Sequence, residues 1–388
     1  LQRFSGPERD GFRARFEGAF LTLESSKEGS LRDLGAGFNA MTISISDPMK
    51  VPVYGDSWLH RWCEKSLYEA RDEVFVRATI KTSLVFVPIL TLLLVHFTWW
   101  AAAAYVAAWA YLAPIVILML HNTMHRPFIR RPRWLGKVHP YWYTALMGIP
   151  SGYMEHHVAM HHVEENLAAD LSSTMRFKRD NFFHFLIYFT RFFALIIVEL
   201  PLYLLRNKRT MLARRVLIAE LCHWALVAGA CLIDLRGGLV GFLLPLVTVR
   251  FLMMMGNWGQ HAFIDEKDPA NPLLNSITCI NSPYNHKAWN DGYHIGHHVK
   301  SNRHWSEMPA DFLANLENYT KQKAIVFSKL DFFLVSLLLF TRQYWLLAKC
   351  FVRIDGVERS DAEVIAFLKS RVQPINSERT DTAPVAAA

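Results

Sequence analysis

The sequence is short of paired cysteines, short of charge and without a recognisable leader. Its five cysteines (Cys63, Cys222, Cys231, Cys279, Cys350) are scattered and form no CxxC pair. That argues against a disulfide framework or a thiolate zinc site and fits a reducing compartment. Charged residues make up 20% of the 388, below the about 25% of soluble domains, which excludes a disordered chain or a nucleic-acid-binding tail protein. The first fifty residues hold no apolar h-region, so no secretory signal is expected there. The chain starts at Leu1 rather than Met, leaving room for a native targeting segment upstream. No internal repeat, low-complexity tract or HExxH motif occurs.

What is present is apolar surface, at 52% hydrophobic and 13% aromatic residues with a net charge of +8. A basic balance on such a chain points to a membrane surface before nucleic acid, and no nucleic-acid partner is expected. Two runs, 82–100 and 101–120, follow one another almost directly, and a second pair spans 216–233 and 238–256. Each has about the twenty residues that cross a hydrocarbon core of roughly 30 Å. The aromatic cluster His96–Trp100 suits an interface at the turn of the first hairpin.

Residues 182–205 are ambiguous. Their aromatic and aliphatic side chains favour insertion by about 6 kcal/mol, and His184, Arg191, Glu199 and Pro201 return about as much. Charge and parity decide instead. Basic residues crowd before residue 82 (Arg71, Arg77, Lys81), after 120 (Arg126, Arg130, Arg131, Arg133, Lys137) and before 216 (Arg206, Lys208, Arg209, Arg214, Arg215). All three segments then belong on the cytoplasmic side, and 182–205 lies at the interface; 327–347 reads the same way. The expected fold is an all-α integral membrane protein. Four transmembrane helices form two hairpins, joined by interfacial helices and a cytoplasmic helical cap. The divisions are 1–75 (N-terminal, partly disordered, with a helix near Trp58–Arg77), 76–350 (the membrane domain) and 351–388 (a C-terminal tail, disordered from about Val372).

The 17 histidines are more than such a chain needs, and most are clustered. His121 and His125 begin where the second run ends. His157, His161 and His162 follow, preceded by Glu155 and His156; His294, His297 and His298 lie far downstream. Spacings of i,i+4 and i,i+3 put imidazoles on one helix face, close enough to share a metal, and a doubled His turns one ring toward a neighbouring position. One HxxxH alone reads most simply as a solvated polar loop. Three clusters on one expected face suit two metals, being too many ligands for one tetrahedral zinc. Asn257 and His261, at the end of the second hairpin, stand where the first cluster stands on the first. His156 is out of register and reads as a neighbour of the ligands. His60, His96, His139, His184, His223, His286 and His304 stand alone. Among Glu155, Glu164, Glu165, Asp170 and Asp291, only Asp170 is expected to orient a ligating ring; the others read as solvated charges.

HxxxH, HxxxHH and HxxHH, in that order and separated by two apolar hairpins, resemble the histidine boxes of the membrane-bound fatty acid desaturase and hydroxylase superfamily. NDGYHIGHH (290–298) is similar to its third box, and Asn166 and Asp170 resemble the pair that commonly follows the second. Asn257-x-x-x-His261 resembles the extra site of stearoyl-CoA-type desaturases, where the His ligates iron and the Asn acts through water. The likeness covers about residues 80–310. It implies two Fe2+ ions held by His121, His125, His157, His161, His162, His261, His294, His297 and His298, with Asn257, Asp170, Asn166 and His156 around them. It also implies O2 as co-substrate and removal of hydrogen from an unactivated methylene of a lipid or fatty-acyl chain. Desaturation is the first reading and hydroxylation of an acyl, alkane or sterol-type substrate the alternative. The first box is HxxxH rather than the HxxxxH usual in acyl-CoA desaturases. No His-Pro-Gly-Gly motif of a fused cytochrome b5 is present, so an external donor of cytochrome b5 or ferredoxin type, with its reductase, is implied. The resemblance favours the endoplasmic reticulum and leaves plastid and bacterial membranes open. A His-rich metal transporter would need ionisable residues near the midplane, and 101–120 has none. A soluble di-iron bundle would need two ExxH pairs, and only Glu220-x-x-His223 occurs.

Overall fold

The computed structural model describes residues 43–375. Much of the expected N-terminal lead-in and the end of the expected tail lie outside the described residues.

Helix α1 (Trp58–Ser66) starts at Ser57, whose hydroxyl accepts from the His60 amide. The helix expected through residue 77 is interrupted at Leu67, which turns extended and bridges to Ile129. The Ser66 carbonyl takes the amides of Arg130 and Arg131. A strand-like contact with the chain that follows the first box thus overrides local helix propensity. Helix α2 (Glu73–Val95) and α3 (Trp99–His125) form the first hairpin. Its turn is His96–Thr98, and Thr98 caps α3 by accepting from Ala101 N, so Trp99 and Trp100 open α3 rather than close α2. Helix α4 (Arg133–Met147) follows.

Among the described residues, five helices are long and apolar enough to cross a membrane: Ala70–Val95, Trp99–His125, Phe182–Arg206, Thr210–Ile233 and Leu235–Gln260. They leave Leu84, Val95, Trp100, Leu232 and Ile233 exposed, an apolar belt that suits lipid rather than water. Phe182–Arg206 is α5 and Thr210–Ile233 is α6. After Asp234 a short turn leads into a π-helical stretch, Leu239–Leu243, and then α7 (Leu244–Gln260). The far ends of the two hairpins touch: a Cβ on Gly237 would stand 2.2 Å from the Leu93 carbonyl oxygen.

Helix α5 meets the second-box region at both of its ends. Near its first end, the Tyr188 hydroxyl donates to the Ser172 carbonyl at 3.2 Å in the loop that follows the second box. At its other end the Tyr203 hydroxyl donates to Glu164, and Arg209 donates to the Ala159 carbonyl at 2.6 Å.

The described chain is mostly helical but not all-α. Strands β1 (Ile277–Ile280) and β2 (Ile325–Ser328) pair in parallel, Ile277 opposite Ile325. The apolar, β-branched ITCI and IVF runs suit buried strands. Helix α8 (His294–Val299) lies against β1. Helix α9 (Phe332–Phe340) runs along α7, so closely that a Cβ on Gly259 would stand 2.3 Å from the Phe332 carbonyl oxygen. Then come α10 (Tyr344–Cys350) and α11 (Asp361–Arg371). The segment expected as a tail is packed as far as it is described: Val364, Leu368 and Val372 are buried. The fully buried Arg179 donates to the carbonyls of Ala262, Arg371 and Gln373, tying the second-box loop, the end of α7 and α11 together.

Candidate metal centre

The first box is the last turn of α3. That helix ends at Arg126, whose guanidinium turns back to Asp72 at 2.7 and 3.0 Å and to Glu69. The second box is a single π-helical turn, His157–His161, between short helical pieces. His261 follows the last turn of α7, and α8 carries the third box.

These segments bring nine imidazoles into two groups, with the ligand atoms in each within 4.8 Å of one another. One group is His121, His125, His157, His162 and His297; the other is His161, His261, His294 and His298. All nine expected ligands are included. His156 joins neither group: it lies 6.4 Å from the His161 ring and edge-on to Phe192 at 4.9 Å.

The pairing rule needs correction at two boxes. His157 and His161, spaced i,i+4, would share a face of an α-helix. The π turn carries an extra residue, so His157 shares a group with His162 and sends His161 to the other. In α8 the i,i+4 pair His294 and His298 stays together, and His297 crosses over.

In the five-histidine group, His121 Nε2 stands 2.8 Å from His157 Nε2 and 3.0 Å from His297 Nε2, and His162 Nε2 stands 2.9 Å from His297 Nε2. In the other, His294 Nε2 is 3.3 Å from His261 Nε2 and 3.0 Å from His298 Nε2. Several rings are turned by acceptors on Nδ1. Asp170 accepts from His161 at 2.7 Å, Asp291 faces His121 at 3.2 Å, and the Asn275 carbonyl accepts from His261 at 2.9 Å. An acceptor on Nδ1 fixes the proton there and aims Nε2 into the group.

Asp291 was not expected in this role. Its side chain is only 4% exposed, and its second oxygen takes the Tyr284 hydroxyl at 3.1 Å. Its place in the third-box run, three residues before His294, was the available signal. Nothing local marks the Asn275 carbonyl. The side chains of Asn166 and Asn257 hydrogen-bond to no histidine ring. Asn166, at φ 63°, accepts from the Thr174 amide and folds the loop. Asn257 donates to the Ser172 carbonyl and the Tyr188 hydroxyl, and Ser172 in turn donates to Asp170.

Burial pushes His157, His162, His294, His297 and His298 well below the usual histidine range, and neighbouring imidazoles add to the effect. Burial likewise takes His261 down to about 3. Burial by itself would raise Asp170, but His161 and the Ser172 hydroxyl outweigh it and hold the carboxyl at about 2. Those six imidazoles are thus held neutral, beside an ionised Asp170.

Such a donor set fits metal ions. Nitrogens about 3 Å apart are spaced as neighbouring ligands on one cation with bonds of about 2 Å. Unprotonated nitrogens converging in a buried space repel unless a cation lies between them. Imidazole suits iron among other transition metals.

Beneath the histidines lies a cavity of about 270 Å3 between α3, α5, α6 and α7. His121, His157, Asp291 and Gln260 border it at one end; Trp109, Ile117, Phe192, Ile196 and Met254 wall it. The isolated histidines are spent elsewhere. His60 pairs with Glu73, His139 meets Thr79, and His304 sits 3.4 Å from Asp72.

A family model described as fatty acid desaturase matches residues 97–329. No curated protein and no solved structure matches the chain. The family match takes in all three boxes and the whole second hairpin, about three-fifths of the sequence, and makes this protein a member of the fatty acid desaturase family, membrane oxidoreductases that act on lipid.

Proposed function

We propose that the protein desaturates a fatty-acyl chain of a membrane lipid, with two irons held by the nine histidines and O2 as co-substrate. The observation that carries this reading is the largely apolar cavity bordered by His121 and His157 of the five-histidine group, with the four-histidine group beside it. Iron bound there would supply the oxidising power that takes hydrogen from an unactivated methylene. The protein's part is positional. The walls from Trp109 to Met254 hold the chain in register under His121 and His157, and burial of the site keeps water from the reacting carbon. Asp170, Asp291 and the Asn275 carbonyl keep the rings aimed.

In this reading four helices cross the membrane and α5 lies along the interface. The contacts of both its ends with the second-box region support that count. The basic segments before α2, after α3 and before α6 favour histidines on the cytoplasmic side, as does the family resemblance for the endoplasmic reticulum. Electrons come from a separate protein of cytochrome b5 or ferredoxin type with its reductase.

The test is expression in a host of defined lipid composition, with mass spectrometry of the lipids. Loss of two hydrogens supports desaturation; gain of one oxygen shows the hydroxylase alternative. His157→Ala and His297→Ala should abolish either change while His60→Ala retains it. Purified protein should carry close to two irons per chain, and a single zinc would overturn the assignment.

A further inference from the structure

One charged pair inside the membrane bundle is not used by the histidine site. Arg250 on α7 donates through Nη2 to Glu220 on α6 at 2.6 Å, and the two side chains are 4% and 6% exposed. Both border the cavity that opens on His121 and His157. Ionisable residues at such depth are costly and are retained for function more often than for stability.

Pairing alone does not account for this arginine. Its Nη2 is taken by Glu220 and its guanidinium stands 5.8 Å from the Phe193 ring centroid, but its buried Nε has no hydrogen-bond partner among the described residues. A clamp between two helices would be served as well by an apolar pair. The residue borders the cavity while its Nε is closed off from open space, and a small rotation of the side chain would present this spare N–H to an acceptor there.

We propose that Arg250 is a specificity-determining residue that receives a neutral oxygen acceptor of the substrate, so that the oxidised lipid carries an ester, amide or hydroxyl oxygen in the membrane-side half of the cavity. The acceptor is neutral because Glu220 already balances the arginine and would repel a carboxylate or phosphate. By the rise of an α-helix, Arg250 lies about 15 Å along α7 from Gln260 at the histidine end. The oxygen and the attacked carbon are therefore separated by on the order of 10–15 Å. The inference rests on reading this cavity as the substrate channel.

The experiment is a retention assay on purified full-length protein. Protein in detergent is equilibrated with an equimolar mixture of octadecane, methyl stearate, 1-octadecanol and stearate, and the retained lipid is measured after gel filtration. Wild type should keep methyl stearate or octadecanol about tenfold over octadecane and over stearate, the discrimination expected of one hydrogen bond to a charged donor. Arg250→Lys keeps the charge beside Glu220 but lacks Nε, and should lose most of that preference. Equal retention of octadecane by wild type overturns the proposal whatever the variant does, as does a preference unchanged in Arg250→Lys. Iron content is measured on the same samples. Two irons without lipid discrimination defeats this inference alone, whereas absent iron with intact discrimination defeats the oxidase reading and leaves this one standing.

Discussion

The carboxylate of Asp291 stands 3.2 Å from Nδ1 of His121, while Nε2 of the same ring stands 2.8 Å from Nε2 of His157. One side chain thus links a buried anion to the five-histidine group. Asp170 does the same for the four-histidine group through His161.

Replacing either carboxylate by its amide should keep the shape and lose the fixed proton. Asp291→Asn is expected to weaken iron binding by the five-histidine group, and Asp170→Asn by the other, each by about 10–100-fold. Competition with a graded series of chelators measures this. Wild-type retention in both variants would show that the carboxylates do not aim the rings.

The boxes and the hairpins were legible because each is a local pattern: His121 with His125, and apolar runs of about twenty residues. The allocation of ligands was not. Which of His161 and His162 joins His157 depends on one extra residue in a turn, and no side chain there announces it. Asp291 looked like any solvated charge until α8, α3 and the end of α7 converged on it. The break at Leu67 and the pairing of β1 with β2 are likewise products of tertiary contact. Residues 182–205 were undecidable by hydropathy, and the useful observation about them is where their two ends dock.

Topology can be checked by thiol labelling in a background lacking Cys222, Cys231 and Cys350, the native thiols that are not buried. Arg176→Cys and Asn207→Cys flank α5 and should react with an impermeant reagent from one face of sealed vesicles. His96→Cys and Leu235→Cys, at the hairpin tips, should react only from the other face. Labelling of residues 176 and 207 from opposite faces would mean that α5 crosses.

Gly259 fits where a side chain does not, with the Phe332 carbonyl and the Ser336 hydroxyl 2.3 and 2.8 Å from a Cβ placed there. Gly259→Ala must push α9 away from α7, at a cost of about 1–3 kcal/mol. A lower thermal midpoint together with reduced iron in the four-histidine group is expected, because His261 follows two residues on. Gly229→Ala, which meets nothing within 4 Å, is the control.

Stability should fall with acid partly through His139. Burial takes this imidazole down to about 4 from an ordinary 6.5. Its neutral form therefore contributes fully above about pH 6.5, and that contribution is lost as pH falls toward 4, by up to about 3 kcal/mol. His139→Leu has no such proton to take up. The thermal midpoints of wild type and variant, compared at pH 7 and pH 4.5, should shift relative to each other in the variant's favour at the lower pH. An unchanged difference would remove His139 from the account.

The π turn at His157–His161 has one more consequence. That turn with His162, and α8, each give rings to both groups, so neither group can be ordered while the other is slack. The first ion to bind immobilises rings belonging to the second ion's site, and the second then binds at a smaller entropic cost. Loading should be cooperative: at half-saturating ferrous ion, the population divides into empty and doubly filled chains, with few holding a single ion.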